Sequence, residues 1–382
     1  MNATRFKTII NSKDKFIKYV EKRAKIEHAI IQNINFKDFK VNWSEFSIYN
    51  CIIVDCELSK EDLSYLFQQG VFVYPKFKKL PYLPIRKELY NWRELMEIEK
   101  TKAPKTKDEV IYQHFNQTRF NPPMDEALTQ RLHDYSIDSC LRELLKFNDE
   151  GMTEKKAVGF MGGHSALRTS ESYIKTATAA YLIAQEGYYV VTGGGPGIME
   201  AANFGAYMSA YPQKDFMNAL ALLQETGTNH IHPEYLSENY LEQAQKILQI
   251  YPNGNENLAI PTWFYGHEPS NIFASHIAKY FSNSLREDIL LSVCLYGVVY
   301  SPGSAGTTQE IFQEATQNHY GTYGYYSPMI FFSKKRYVED TALYSTLHQL
   351  AKGMKYKDLL FLTDEPEEVV RLIKTHPPVK KI

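Results

Sequence analysis

Three times along this chain an apolar run breaks into a glycine-rich turn and then into a helical pattern. Ala157-Val158-Gly159-Phe160-Met161 leads into Gly162-Gly163-His164-Ser165, ahead of a helical stretch from Ser172 to Glu186. Tyr188-Tyr189-Val190-Val191-Thr192 leads into Gly193-Gly194-Gly195-Pro196-Gly197-Ile198-Met199-Glu200. Tyr296-Gly297-Val298-Val299-Tyr300 leads into Ser301-Pro302-Gly303-Ser304-Ala305-Gly306-Thr307-Thr308-Gln309-Glu310. A turn of this kind at a helix N-terminus presents bare backbone N–H groups to an anion. One such turn has a purely steric explanation, because tight turns need glycine. Three of them, each at the carboxyl end of a strand, follow the rule that open α/β sheets bind ligands there.

The rest of the pattern fits that architecture. Strands are expected at 157–161, 188–192, 258–263, 297–300, 329–332 and 359–362. Helices are expected at 172–185, 197–208, 271–282, 285–293, 307–316, 341–352 and 366–374. Alternation with short links predicts an α/β fold: a doubly wound, Rossmann-like parallel sheet with helices on both faces. Residues 212–255 form an excursion that reads as two extra helices, a lid or a partner interface.

A length of 382 residues points to two domains. Residues 1–100 lack the strand–glycine–helix rhythm and read as a small β-rich N-terminal domain. Within it Phe36, Val41, Phe46, Cys51 and Cys56 recur every five residues, the spacing of a degenerate pentapeptide coil. Residues 101–155 read as a linker followed by a packing helix, with apolar positions from Leu128 to Leu145 at helical spacing. The ligand-binding domain is expected over 156–382.

Lys plus Arg is 43 against 44 Asp plus Glu, a net charge of −1. That gives no global electrostatic reason to bind nucleic acid or an anionic membrane. Four cysteines, Cys51, Cys56, Cys140 and Cys294, have no metal-ligand spacing, so no metal site is expected. No apolar run spans a bilayer, and Met1 to Lys7 lacks the core of a signal peptide. A cytoplasmic protein with reduced thiols is expected, and no cofactor is called for.

The two later turns together resemble the LOG family, which includes cytokinin riboside 5′-monophosphate phosphoribohydrolases and a longer bacterial branch acting on ordinary nucleoside 5′-monophosphates. The resemblance covers roughly Lys156 to His376 and not the first hundred residues. Its second motif, Pro-Gly-Gly-x-Gly-Thr-x-x-Glu, is matched by Pro302, Gly303, Gly306, Thr307 and Glu310, with Ser304 where the family has glycine. The resemblance implies a catalytic pair. Glu310 is the carboxylate, and Arg286, 24 residues earlier, is the counterpart of the family arginine. His267-Glu268-Pro269-Ser270-Asn271 looks like a loop of the longer branch.

The implied activity is hydrolysis of the N-glycosidic bond of nucleoside 5′-monophosphates, with a homodimer or higher homo-oligomer as the assembly. Glu310 would stabilise the cationic ribose or align water, and Arg286 would clamp phosphate or sugar oxygens. The nucleotide would be held by Gly193, Gly194, Gly195, Gly197 and Glu200, by Gly303, Ser304, Ala305, Gly306 and Thr307, and by Gly162, Gly163 and His164. Bland readings stand beside these: a surface turn for His164, a surface ion pair with Glu287 or Asp288 for Arg286, and an exposed position for Arg168. His230 and His232 read as chemically idle. Trp263-Phe264-Tyr265 reads as a base-stacking element or as core.

A non-catalytic nucleotide sensor of the same fold is the alternative function. An NAD-dependent oxidoreductase fits less well, because Gly193 onward does not reproduce Gly-x-Gly-x-x-Gly with its acidic partner. Amino-acid decarboxylation lacks a distinctive lysine.

Overall fold

The computed structural model describes residues 8–74, 76–77, 80–99, 104–148, 151–225, 233–266 and 269–381. His230, His232, His267 and Glu268 lie outside the described residues. The chain divides into two compact units. One comprises residues 1–87 with 124–129, the other residues 88–123 with 130–382.

The first unit is a short parallel coil. Strands Thr8–Ile10, Ala29–Gln32, Ile52–Val54 and Phe72–Val73 lie side by side in one parallel sheet. Lys25–Glu27 and Ser47–Tyr49 form a second parallel pair. Ile30 faces Ile52 and Lys25 faces Ser47, a repeat of 22 residues. His28, Asn33, Asn50 and Asp55, with φ between 48° and 54°, turn the corners. Asn50 and Asp55 directly precede Cys51 and Cys56, so part of the five-residue spacing marks sides of a coil. The buried face holds Phe16, Ile31, Phe36, Trp43, Ile53 and Leu66. Each coil covers the next, as in a solenoid.

In the second unit the seven strands of the main sheet are β1 (Ala157–Met161), β2 (Tyr189–Thr192), β3 (Leu258–Ala259), β4 (His276–Ile277), β5 (Val298–Tyr300), β6 (Met329–Phe332) and β7 (Leu360–Thr363). Every pairing is parallel, and the spatial order is β4-β3-β2-β1-β5-β6-β7. The α-helices that follow β1 are α1 (Glu171–Gln185), α2 (Ile198–Met208), α3 (Gln213–Gln224), α4 (Glu238–Ile250), α5 (Asn283–Ser292), α6 (Ala305–Tyr320), α7 (Leu343–Leu350) and α8 (Pro366–Thr375).

Side chains of successive strand residues alternate between faces, and both faces of this sheet are covered. Val158 and Phe160 pack against Ala179, Ala202 and Val369 of α1, α2 and α8. On the opposite face Gly159 lies so near Cys294, just past α5, that a Cβ there would stand 2.9 Å from Sγ. The doubly wound fold is therefore the one expected.

Residues 271–282 are not the expected helix. They begin in a turn, carry β4 and reach a bridge between Thr262 and Tyr280. Ile277, Ala278, Lys279 and Tyr280 are buried in succession. A strand buried on both faces loses its alternation, and its apolar residues then mimic a helical stripe.

Arg168 is fully buried, not exposed. Its Nε and Nη2 donate to Oε2 and Oε1 of Glu200 at 2.9 and 2.6 Å, and Tyr173 Oη donates to the same carboxylate at 2.9 Å. Its Nη1 donates to the Tyr240 carbonyl at 2.9 Å, and the guanidinium lies 3.6 Å from the centre of the Tyr240 ring. Gln224 of α3 donates to the Arg168 carbonyl at 3.1 Å. One arginine thus ties the excursion helices α3 and α4 to the start of α2. Arg168→Leu leaves the Glu200 carboxylate buried and uncompensated, which costs about 3–5 kcal/mol. Urea unfolding is expected to show that loss, and Arg168→Leu with Glu200→Leu together to recover part of it. A single variant as stable as the wild type would remove the pair as the fastener.

Candidate functional site

Strand order reverses between β1 and β5, so the turns after these strands and after β2 converge at the switch point of the sheet. Gly163 fastens them. Its N–H donates to the Pro302 carbonyl at 3.0 Å, and its carbonyl accepts from the Ile198 N–H at 3.1 Å. Gly197 sits at φ +68° with Gly163 and His164 so close that any Cβ would stand 2.6 Å from the Gly163 carbonyl. Only glycine fits there.

A buried polar network holds the second turn. Thr192 Oγ1 donates to Asn203 Oδ1 at 2.6 Å and accepts from the Gly194 N–H at 3.0 Å. Asn271 donates its backbone N–H to Gly194 and its side-chain amide to Gly195 and to Asn203. Asn257 accepts from Asn203 at 2.8 Å. Isolated asparagines in sequence give no signal of such a network.

Between the turns lies a cleft of about 380 Å³. Gly162, Gly163, His164, Gly193, Gly194, Gly195, Ser304, Ala305, Gly306, Thr307, Arg286 and Glu310 line it, joined by Tyr265 and Glu287. Gly197 and Gly303 shape the turns without lining the cleft. Glu200 is not in it: its carboxylate is taken up by Arg168 and Tyr173 and borders a separate cavity of about 190 Å³. The acidic residue of the glycine motif thus serves packing, because a carboxylate is a poor neighbour for a phosphate and a good one for a buried guanidinium.

The first turn of α6 opens on the cleft. Ser304, at its N-cap, makes no capping hydrogen bond, so the N–H groups of Ala305, Gly306 and Thr307 receive nothing from it. Its φ of −112° lies outside the left-handed region. The position where the LOG motif has glycine therefore does not call for a left-handed residue. A Cβ at Gly306 would meet open space.

Arg286 and Glu310 stand together. Arg286 Nη1 lies 2.5 Å from Glu287 Oε1 and 3.8 Å from Glu310 Oε1, and Nε donates to the Ile260 carbonyl at 2.8 Å. The bond to Glu287 is the expected ion pair moved indoors, since all three residues are buried. Asp288 instead accepts from Gln313. Gly193 makes room for the guanidinium: a Cβ there would stand 2.5 Å from Arg286 Nη2. Asp134, unsuspected in the sequence, accepts from the Phe281 and Ser282 N–H groups at 2.9 Å each and so fixes the start of α5. Trp263 is core, its indole N–H donating to Asp108, which also pairs with buried Lys279 at 2.8 Å. Tyr265, 63% exposed, is the member of that aromatic run that reaches the cleft.

Burial pushes the Glu310 carboxyl up to about 8, with Arg286 pulling it back and Glu287 pushing it higher. Glu314, one turn further along α6, is likewise pushed up to about 8 by burial, against a hydrogen bond from Ser327.

Residues 155–210, which span β1, α1, β2 and α2, match the profile of the SLOG cluster4 family, part of a LOG-like superfamily. Among solved structures, the molybdenum cofactor binding protein from Rippkaea orientalis is 17% identical over 58% of this chain and 97% of that one, with a TM-score of 0.37. The Moco carrier protein from Chlamydomonas reinhardtii is 14% identical over 58% and 97%, with a TM-score of 0.36. No curated protein matches significantly. Among the described residues no helix is long and apolar enough to cross a membrane.

The two raised carboxyls have a consequence for stability. Protons bound to Glu310 and Glu314 in the folded chain are released on unfolding, where the ordinary value is 4.5. Their contribution is complete below about pH 4.5, shrinks as pH rises, and is gone above about pH 8. Glu314→Gln cannot ionise, so its urea midpoint is expected to fall less than that of wild type between about pH 5 and pH 8. An equal fall in both proteins would clear Glu314 as a source.

Proposed function

We propose that the cleft hydrolyses the N-glycosidic bond of nucleoside 5′-monophosphates, releasing the free base and ribose 5-phosphate, as in the LOG family. One observation carries the reading: the buried pair Arg286–Glu310, 3.8 Å apart, beside the open N-terminus of α6. The 5′-phosphate would rest on the N–H groups of Ala305, Gly306 and Thr307, where the helix dipole favours negative charge. Held there, the sugar meets Glu310 in one orientation, which lowers the entropic part of the barrier. Breaking the C–N bond builds positive charge on the ribose. The ionised Glu310 faces that charge, and can take a proton from the attacking water. Arg286 neutralises phosphate or sugar oxygens. The resemblance also implies at least a homodimer, which light scattering at micromolar concentration would register as twice the mass of the chain.

The raised Glu310 carboxyl gives the reading a signature. With a value raised to about 8, the carboxylate is the minor form of the free protein at pH 7. The ratio kcat/KM is therefore expected to climb with pH and level off above about 8. Purified protein incubated with each common nucleoside monophosphate should release free base. Glu310→Gln is expected to keep nucleotide binding and lose about two to four orders of magnitude in turnover. Arg286→Ala should weaken binding and rate together. Nucleotide binding with no base release by the wild type would favour the sensor instead, and unchanged release by Glu310→Gln would take that carboxylate out of the mechanism.

A further inference from the structure

Glu287 is 3% exposed, lines the cleft, and has one carboxylate oxygen committed and one idle. Oε1 holds Arg286 Nη1 at 2.5 Å, while Oε2 is buried without a hydrogen-bond partner. Burying a carboxylate oxygen with no donor to accept from is costly. Such an atom in a cleft marks a place where a ligand supplies the missing donor. A carboxylate accepts and does not donate, and it repels phosphate, so the donor must be an N–H or O–H on a part of the ligand away from its anion.

Both Glu287 and Glu310 stand within 4 Å of the same guanidinium nitrogen, at 2.5 and 3.8 Å. A ligand group seated beside that guanidinium is therefore within reach of both. If Glu310 attends the anomeric carbon, its neighbour in the ring is the carbon bearing the 2-hydroxyl. We infer that Glu287 Oε2 accepts a hydrogen bond from the ribose 2-hydroxyl, so that the cleft selects ribonucleotides over deoxyribonucleotides. The inference rests on the nucleotide reading above. Glu287 is here a specificity residue. It also positions Arg286, and the two roles separate by experiment.

Titration calorimetry of the full chain with ribose 5-phosphate and with 2-deoxyribose 5-phosphate isolates the hydroxyl, because the two ligands share the phosphate. A hydrogen bond to a charged acceptor corresponds to roughly a 10- to 100-fold preference for the ribose ligand in the wild type. Glu287→Ala is expected to reduce that preference to less than about threefold, and Glu287→Gln, which keeps the shape and one neutral acceptor, to an intermediate ratio. A purely structural role would weaken both ligands alike and leave the ratio intact. Should Glu287→Ala fail to fold, the ratio in Glu287→Gln decides. Equal binding of both ligands by the wild type, or a preference that survives in the variants, overturns the inference and spares the nucleotide reading. Binding of neither ligand takes down both.

Discussion

Everything the cleft offers depends on two backbone hydrogen bonds of Gly163, which join the turns after β1, β2 and β5 into one rim. Backbone groups are the only polar groups a turn can always supply. Here their partners lie in turns far apart in sequence, so the rim exists only once the parallel sheet has formed. The reversal of strand order beside β1 is what leaves a gap for it. Close approach of the turns forbids a side chain at Gly197, and one at Gly193 would push the Arg286 guanidinium aside. Ser304 and Gly306, by contrast, face space. The glycines thus divide into those that let the chain close up and those that merely leave the helix end bare.

Two buried arginines show opposite uses of the same chemistry. Arg168 meets a bidentate carboxylate, a carbonyl and an aromatic ring, and Glu200 has a tyrosine as well. That pair is satisfied within the fold, so it acts as a fastener. Arg286 has two carboxylates within 4 Å, and one of their oxygens has no partner. A cluster left incomplete at that depth would be an odd choice for stability alone. Perturbed titration and unsatisfied buried oxygens are concentrated where a ligand completes the set.

The features legible in the sequence were those written in short, local patterns. Strand, glycine turn and helix each have a signature of a few residues, so β1, β2, β5 and β6 and the turns after β1, β2 and β5 fall where the pattern puts them. Glu310 and Arg286 were reached through the motif, and the cleft does bring them together. Long-range partners were not legible. Arg168 and Glu200 lie 32 residues apart, and an arginine in a polar turn looks exposed until its carboxylate is known. Asn203, Asn257 and Asn271 are ordinary asparagines until they meet. Glu287 looked like a surface partner because helix spacing cannot say which charges the sheet will cover. The 22-residue coil of the first unit is interrupted by helices Lys13–Val20 and Lys60–Gln68, which hide its period behind amphipathic stretches.

The charge inventory of the cleft connects its resting state to the proposed reaction. With Arg286, Glu287 and Glu310 all ionised, one negative charge would stand uncompensated in a buried site, and a phosphate beside α6 would add more. Burial above all, with Glu287 adding to it against the pull of Arg286, raises the Glu310 carboxyl and favours its proton. In the proposed reaction a ribosyl cation would supply the positive charge that the arrangement lacks. Its appearance would lower the cost of ionising Glu310 at the moment the carboxylate is needed. Attraction between the Glu310 carboxylate and that cation would thus be worth more in the transition state than in the ground state, which is the condition for catalysis.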